Sequence, residues 1–226
     1  MIANIVLQFF MNGGPIMWPI LISALVAVAV VGERAFWWLK ESSRRDPRKL
    51  EQILAALENN DTAAAKSIAA GSEDPVIRVI HHGLAHVGHA HGSLLGALQL
   101  AAGIELKRAG RFLMVMDTLV TLAPLLGLLG TVTGLMSAFL HIGSAELSVS
   151  GVTGGIGQAL IATACGLGIA IFSLIPYNYF SARVAQLQFD LETAATNVEV
   201  MVGGGAKAGD TVHLRKPEAP QQATTH

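Results

Sequence analysis

Between Asp117 and Arg183 the chain carries a single charged side chain, Glu146. The apolar runs on either side of it, DTLVTLAPLLGLLGTVTGLMSAF and GGIGQALIATACGLGIAIFSLIPYNYF, are each longer than the roughly 20 residues that cross a bilayer's hydrocarbon. Both are crowded with small residues. Gly127, Gly130 and Gly134 follow Ala123 in the first; Ala159, Ala162, Gly166 and Ala170 recur every third or fourth residue in the second. Helices that face only lipid have no use for such residues, whereas helices whose backbones approach closely need them. A closely packed transmembrane hairpin is the expectation. Composition agrees: 14% of residues are charged, against about 25% in soluble domains.

Residues 1–32 contain no charged side chain. A secretory signal would place basic residues before its apolar core; here Arg34 and Lys40 come after it, so the first span is read as retained. Pro15 and Pro19 flank Trp18 at its start, where a missing N–H costs least. Glu33, Arg34, Trp37, Trp38 and Lys40 read as its interfacial end, with the basic chains reaching water. From Glu41 the composition turns soluble and helical. Asp46–Pro47 starts one helix, Asn59-Asn60-Asp61 breaks it and caps a second that Gly71 ends, and Pro75 opens a third. Ser93 caps a fourth, expected to run past Lys107, Arg108 and Arg111 directly into the membrane.

All fifteen Lys and Arg lie at 34–111 or at 183 and beyond. The positive-inside rule then puts the N-terminus and the loop around Glu146 outside, with the insertion and the C-terminus in the cytoplasm. The expected layout is an outer segment 1–14, a first span 15–40, a cytoplasmic helical insertion 41–111, a second span 112–140, an outer loop 141–154 and a third span 155–180. A cytoplasmic helix 181–202 follows, in which Phe180, Val184, Leu187, Leu191, Ala194, Val198 and Met201 form a stripe suited to self-association. Gly203-Gly204-Gly205 ends it before a disordered tail, 203–226.

An intramembrane ionisable group usually marks an ion path, yet no Asp, Glu, Lys, Arg or His lies in the middle of any span. Asp117 sits near the cytoplasmic entry of the second. Mid-span the chain offers Thr131, Thr133, Gln158 and Thr163 instead. For Thr133 a local bond to a carbonyl three or four residues back is sufficient explanation. Thr131 falls within about 40° of Asp117 on the helical wheel, with Thr121 and Pro124 close to the same line, which makes a polar stripe. Pro124 and Pro176 can kink their spans or merely shape packing. If this protein handles protons, a partner must bring the titrating group.

At AP-LLGLLGTVTG (123–134) and G-QALIATACGLGIAI-P-N (157–178) the sequence resembles the MotA/TolQ/ExbB proton-channel family, most of all its ExbB and TolQ branch. The GG-P-MWP opening, the Glu33–Arg34 pair and the three-span, N-out layout extend the likeness over about residues 12–202. The resemblance implies an all-α integral membrane protein of the bacterial inner membrane, multi-pass, with its outer side in the periplasm. It implies a subunit of a pentameric ring whose second and third spans line a pore around an ExbD- or TolR-like partner. That partner, with one span and a membrane aspartate, carries the proton, and a TonB- or TolA-like protein passes work to the outer membrane. The family's pore threonines match Thr131 and Thr163. Where ExbB members commonly have a glutamate, this chain has Gln158, which keeps hydrogen bonding without charge.

The resemblance implies a transducer that powers outer-membrane transport or envelope maintenance, not an enzyme, and it brings no cofactor. A flagellar MotA-like stator and a non-conducting scaffold are the rivals; three spans and a small insertion count against the stator. Cys165 is alone, which excludes an internal disulfide. His81, His82, His86, His89 and His91 include a metal-compatible spacing, but no Cys or carboxylate completes a site, and a solvated stretch is the preferred reading. Arg44, Arg45, Arg48 and Lys49 suit anionic lipid better than nucleic acid. GGIGQAL is not a phosphate loop, since it opens a membrane helix with no preceding strand and no lysine.

Overall fold

A computed structural model of the chain describes residues 13–87, 92–142 and 149–212. Among them are seven helices and no strand: α1 Met17–Ser42, α2 Pro47–Glu58, α3 Thr62–Ala69, α4 Pro75–Leu84, α5 Gly92–Ala109, α6 Leu113–Ile142 and α7 Val149–Val212. Three stretches are long and apolar enough to cross a membrane: Met17–Ser42, Leu113–Leu140 and part of Gly151–Val202. The chain divides into two compact units, one of residues 13–40 and 109–185, the other of 41–108 and 186 onward.

In the first unit α6 and α7 meet through the small residues. A Cβ added to Gly134 would lie 2.8 Å from the Gly155 carbonyl oxygen, and one on Gly155 would lie 2.7 Å from that of Gly134. At Gly127 a Cβ would come within 3.1 Å of the Thr163 Cα, and at Gly130 it would strike the Ala162 methyl. Ala123, Ala138, Ala159, Ala162 and Ala170 are buried along the same seam. Leu125, Leu128, Val132 and Phe139 point away from it and are exposed. Close contact over about four turns supplies the dispersion that holds helices together where water does not drive them.

The fourth helix does not run unbroken into the second span. It stops at Ala109, and a turn ending at Phe112, with φ of +63°, starts α6 at Leu113. A bulky residue in the left-handed region costs about 1–2 kcal/mol, so neighbouring contacts must hold it. Arg34 provides them. Its guanidinium is 1% exposed, where the sequence placed it reaching for water. It donates to both Glu33 carboxylate oxygens at 2.7 and 3.1 Å and to the Ala109 carbonyl at 3.1 Å. It also lies over the rings of Trp37, at 4.9 Å, and Phe112, at 5.9 Å. A guanidinium has the donors to satisfy all of these at once, and the pairing removes any need to reach solvent.

The second unit builds from capped short helices. Asp46, Asp61 and Asp74 accept from the backbone N–H of Lys49, Ala64 and Val76 at 3.1, 2.8 and 2.8 Å, and Pro47 and Pro75 occupy first-turn positions. Asn60, with φ of +58°, makes the break between α2 and α3. Ile53, Leu57, Ile77, Ile80 and Leu98 are buried here. Leu187, Leu191, Ala194 and Val198 of α7 are buried too, so the stripe read as a self-association face is covered by the chain itself. Arg45 and Asp190, paired at 3.0 Å, lie in the same unit.

Two boundaries differ from the expectation. Helix α7 begins at Val149, inside the expected outer loop, and it runs through Gly203-Gly204-Gly205 to Val212. Each helical glycine costs about 1 kcal/mol against alanine, but extending an existing helix is far easier than nucleating one. The Glu146 loop, His89, His91 and the tail beyond Val212 lie outside the described residues.

Candidate functional site

Asp117, Thr121, Pro124 and Thr131 occupy one side of α6. Asp117 and Thr121 are exposed, and Pro124 and Thr131 are half-buried, so no other part of the chain covers this stripe completely. Thr121 Oγ1 donates to the Thr118 carbonyl at 3.0 Å and to that of Asp117 at 3.3 Å; Thr131 Oγ1 donates to that of Leu128 at 2.7 Å. Thr133 does the same with Gly130 at 3.1 Å. Both threonines back-bond, so what separates Thr131 from Thr133 is its phase with Asp117.

Thr163 is different. Its hydroxyl lies between the Ala159 carbonyl of its own helix, at 3.2 Å, and the Gly127 carbonyl of α6, at 3.1 Å. The absence of a side chain at Gly127 is what lets α7 come near enough for that bond. Thr163 is thus a polar tie between the two helices as well as a half-buried group on their seam. With the proton engaged by carbonyls, what the hydroxyl presents to any guest is its lone pairs.

Gln158 packs against the start of the first span. Its Cγ, Cδ and Nε2 lie against Gly14, in the turn that enters α1. Gly166 has the tightest backbone neighbours of the set: a Cβ there would lie 2.5 Å from the Ala123 carbonyl oxygen and about 3 Å from Gly127. Pro124 and Pro176 are both accommodated inside continuous helices.

No group of three or more metal-ligating side chains occurs among the described residues. His82 and His86 stack with ring centroids 5.1 Å apart, and His86 Nδ1 lies 2.9 Å from the His82 carbonyl oxygen, which is one-turn helical packing rather than a ligand set. Among the described residues of the second unit are open grooves of about 310 and 320 Å³. The first is lined mainly by apolar side chains, including Leu50, Leu54 and Phe189. Along the second, Arg78 donates to Glu105 at 2.6 and 3.2 Å and reaches Glu41 at 3.5 Å.

That ion-pair cluster escaped the sequence reading, because its members are 37 and 27 residues apart. Burial works against the Arg78 charge, but the Glu105 hydrogen bond and the charges of Glu105, Glu41 and Asp74 outweigh it and raise the pKa above the ordinary arginine value. A base with a raised pKa contributes stability that is complete below its unfolded pKa and lost only as pH rises through the folded one. For Arg78 that window is far into alkali. Arg78→Met is therefore expected to lower stability by about 2 kcal/mol, the scale of charge-assisted bonds, by the same amount at neutral and mildly alkaline pH. Melting curves at several pH values check this.

The family model of the MotA/TolQ/ExbB proton channel family matches residues 71–193. An ExbB-like protein of Synechocystis is 36% identical over 173 residues, which are 75% of this chain and 82% of the relative. The biopolymer transport protein ExbB of Neisseria gonorrhoeae is 42% identical over 79 residues, 34% of this chain and 36% of its own. The Tol-Pal system protein TolQ of Haemophilus influenzae is 37% identical over 95 residues, 42% of each chain. With three apolar helices long enough to span a bilayer and a family match over more than half its length, this multi-pass membrane protein belongs to the MotA/TolQ/ExbB proton channel family, on its ExbB/TolQ side.

Proposed function

We propose that this chain is the ring-forming subunit of a proton-driven energy transducer in the bacterial inner membrane, with its N-terminus in the periplasm. Five copies enclose an ExbD- or TolR-like one-span partner and power biopolymer transport or envelope maintenance through a TonB- or TolA-like protein. The observation that carries this reading is chemical. From Thr118 to Leu140 and from Val149 to Ala182 there is no Asp, Glu, Lys, Arg or His, while hydroxyls occur at 131 and 163. Such a lining cannot carry a proton on its own titrating group, but it can receive one carried by a guest.

The hydrogen bonding of Thr163 supports a sense of preference. A hydroxyl whose single proton is already shared between two carbonyls accepts readily from a protonated carboxylic acid. It can donate to a carboxylate only by giving up those bonds. Thr163 therefore favours the neutral form of a partner acid, and Asp117, exposed nearer one end of α6, provides a place for the proton to arrive or leave. Thr121 and Thr131 extend the polar stripe between them.

Thr163→Val keeps the shape and removes the acceptor. Proton flux through the chain and its partner in vesicles is expected to fall several-fold, in line with a lost hydrogen bond of about 1 kcal/mol, while the complex still assembles. Unchanged flux would remove Thr163 from the path. Purification of the chain with its native neighbours tests the partner: a ring holding a one-span protein with a membrane acid supports the proposal, and a closed, empty ring overturns it.

A further inference from the structure

Gly14 has φ of +71°, a conformation that side chains rarely adopt. Its α-carbon is also covered: the space a Cβ would need is filled by the Gln158 amide and the methylene behind it. The turn is fixed further by the Met17 N–H, which donates to the Gly14 carbonyl at 3.1 Å. Beyond it Ile16, Met17 and Ile20 bury against Ala162, ringed by Leu126, Ile161, Cys165 and Ile169. Across the seam a Cβ on Gly130 would lie 3.1 Å from Ile16 Cγ2.

We infer that Gln158 is a clasp that seats the entry turn of α1 on the α6–α7 hairpin, and a positioning residue for Thr163 rather than a member of the proton path. Gln158 precedes Ala159, whose carbonyl accepts from Thr163, and Ala162, on which the entry helix rests, so the clasp holds the turn of α7 that presents the hydroxyl. A neutral amide suits contact with a glycine backbone because it offers donors and an acceptor without a charge to desolvate. The family position commonly held by glutamate is, in this chain, a packing joint.

The clasp stands on packing and is independent of whether protons pass Thr163. No Lys or Arg occurs in residues 1–33 or 112–182 to offset a charge introduced here. On the elements around Gln158, Gly14 and its neighbours do not titrate, and the titratable residues of α6 are Asp117 and His141, toward its two ends. On α7 the titratable side chains nearest in sequence are Cys165, two turns on, and Tyr177 beyond. An ionised carboxyl at 158 would be desolvated against the Gly14 turn with no Lys or Arg in these segments to pair it, whereas the protonated acid keeps the shape of the amide.

Melting temperatures of the full chain in detergent, with proton flux in vesicles, test this. Gly14→Ala is expected to lose more stability than Gly71→Ala, which has a similar φ of +69° but open space around it. Gln158→Ala placed on Gly14→Ala is expected to restore part of the loss. Gln158→Glu is expected to match the parent in melting temperature and flux at acid pH and to fall below it as pH rises. If the Gly14 and Gln158 losses simply add, or if Gln158→Glu melts independently of pH as a water-exposed pore carboxylate would, the clasp is wrong. Should Gly14→Ala fail to fold, the pH dependence of Gln158→Glu decides the matter alone.

Discussion

Gly166→Leu is expected to open the α6–α7 hairpin, with a loss above about 3 kcal/mol, at or beyond the upper end of ordinary overpacking. The first added atom is already too many, since a Cβ meets the Ala123 carbonyl oxygen at 2.5 Å and Gly127 Cα and N at 3.0 and 3.1 Å. All three are backbone atoms of α6 and cannot rotate away as a side chain would. The helices must separate, and separation breaks the bond from Thr163 to the Gly127 carbonyl, which needs the present 3.1 Å. In lipid no hydrophobic pressure pushes the helices back together. Gly168→Leu is the control, because nothing lies within 4 Å of a Cβ there and the single chain tolerates it. Thermal melting of both variants in detergent separates a seam effect from a general dislike of leucine.

The second large effect is expected at Arg34. Arg34→Ala removes the guanidinium that satisfies the Ala109 carbonyl and lies over Phe112, leaving a residue at φ of +63° with less to hold it. Glu33 is 41% exposed and can turn to water, which keeps the loss near the lower end of the 3–5 kcal/mol seen when a buried pair is broken, about 3 kcal/mol. Lysine does not replace it. A point charge with three donors cannot grip a carboxylate in two places and reach a carbonyl while lying flat over two rings. Arg34→Lys is therefore expected to recover less than half of the lost stability. Denaturant melts of the three proteins read the difference; full recovery by lysine would mean that charge alone matters.

The hairpin was legible because small residues at steps of three and four mark the seam on both helices, and Gly127, Gly130, Gly134 and Gly166 each meet backbone or a methyl opposite. Gly134 and Gly155 occupy mirror roles that the structure shows and the series read from the sequence, which began at Ala159, did not include. The capped helices of the insert were equally plain, since Asp46–Pro47 and Asp74–Pro75 are local signals whose meaning needs no tertiary context. Long-range pairings were not. Nothing near Arg34 in sequence says that its guanidinium will find a carbonyl 75 residues away, and an arginine after an apolar run ordinarily reaches for water. The stripe from Leu187 to Val198 showed that the helix had an apolar face but not what would cover it. Likewise nothing near Gln158 in sequence announces its contact with Gly14, which only three dimensions bring about. The threonines at 131 and 163 were legible as hydroxyls without neighbouring charge, and the bond from Thr163 to Gly127 gives one of them a second task.

The central claim is that the spans own no acid at mid-depth and must borrow one. Proton flux into pH-jumped vesicles, measured for this chain alone and for the chain assembled with its one-span, acid-bearing partner, tests it most directly. Flux is predicted only from the complex, and it disappears when the partner's membrane acid is replaced by its amide. Equal flux from the chain by itself would contradict the account.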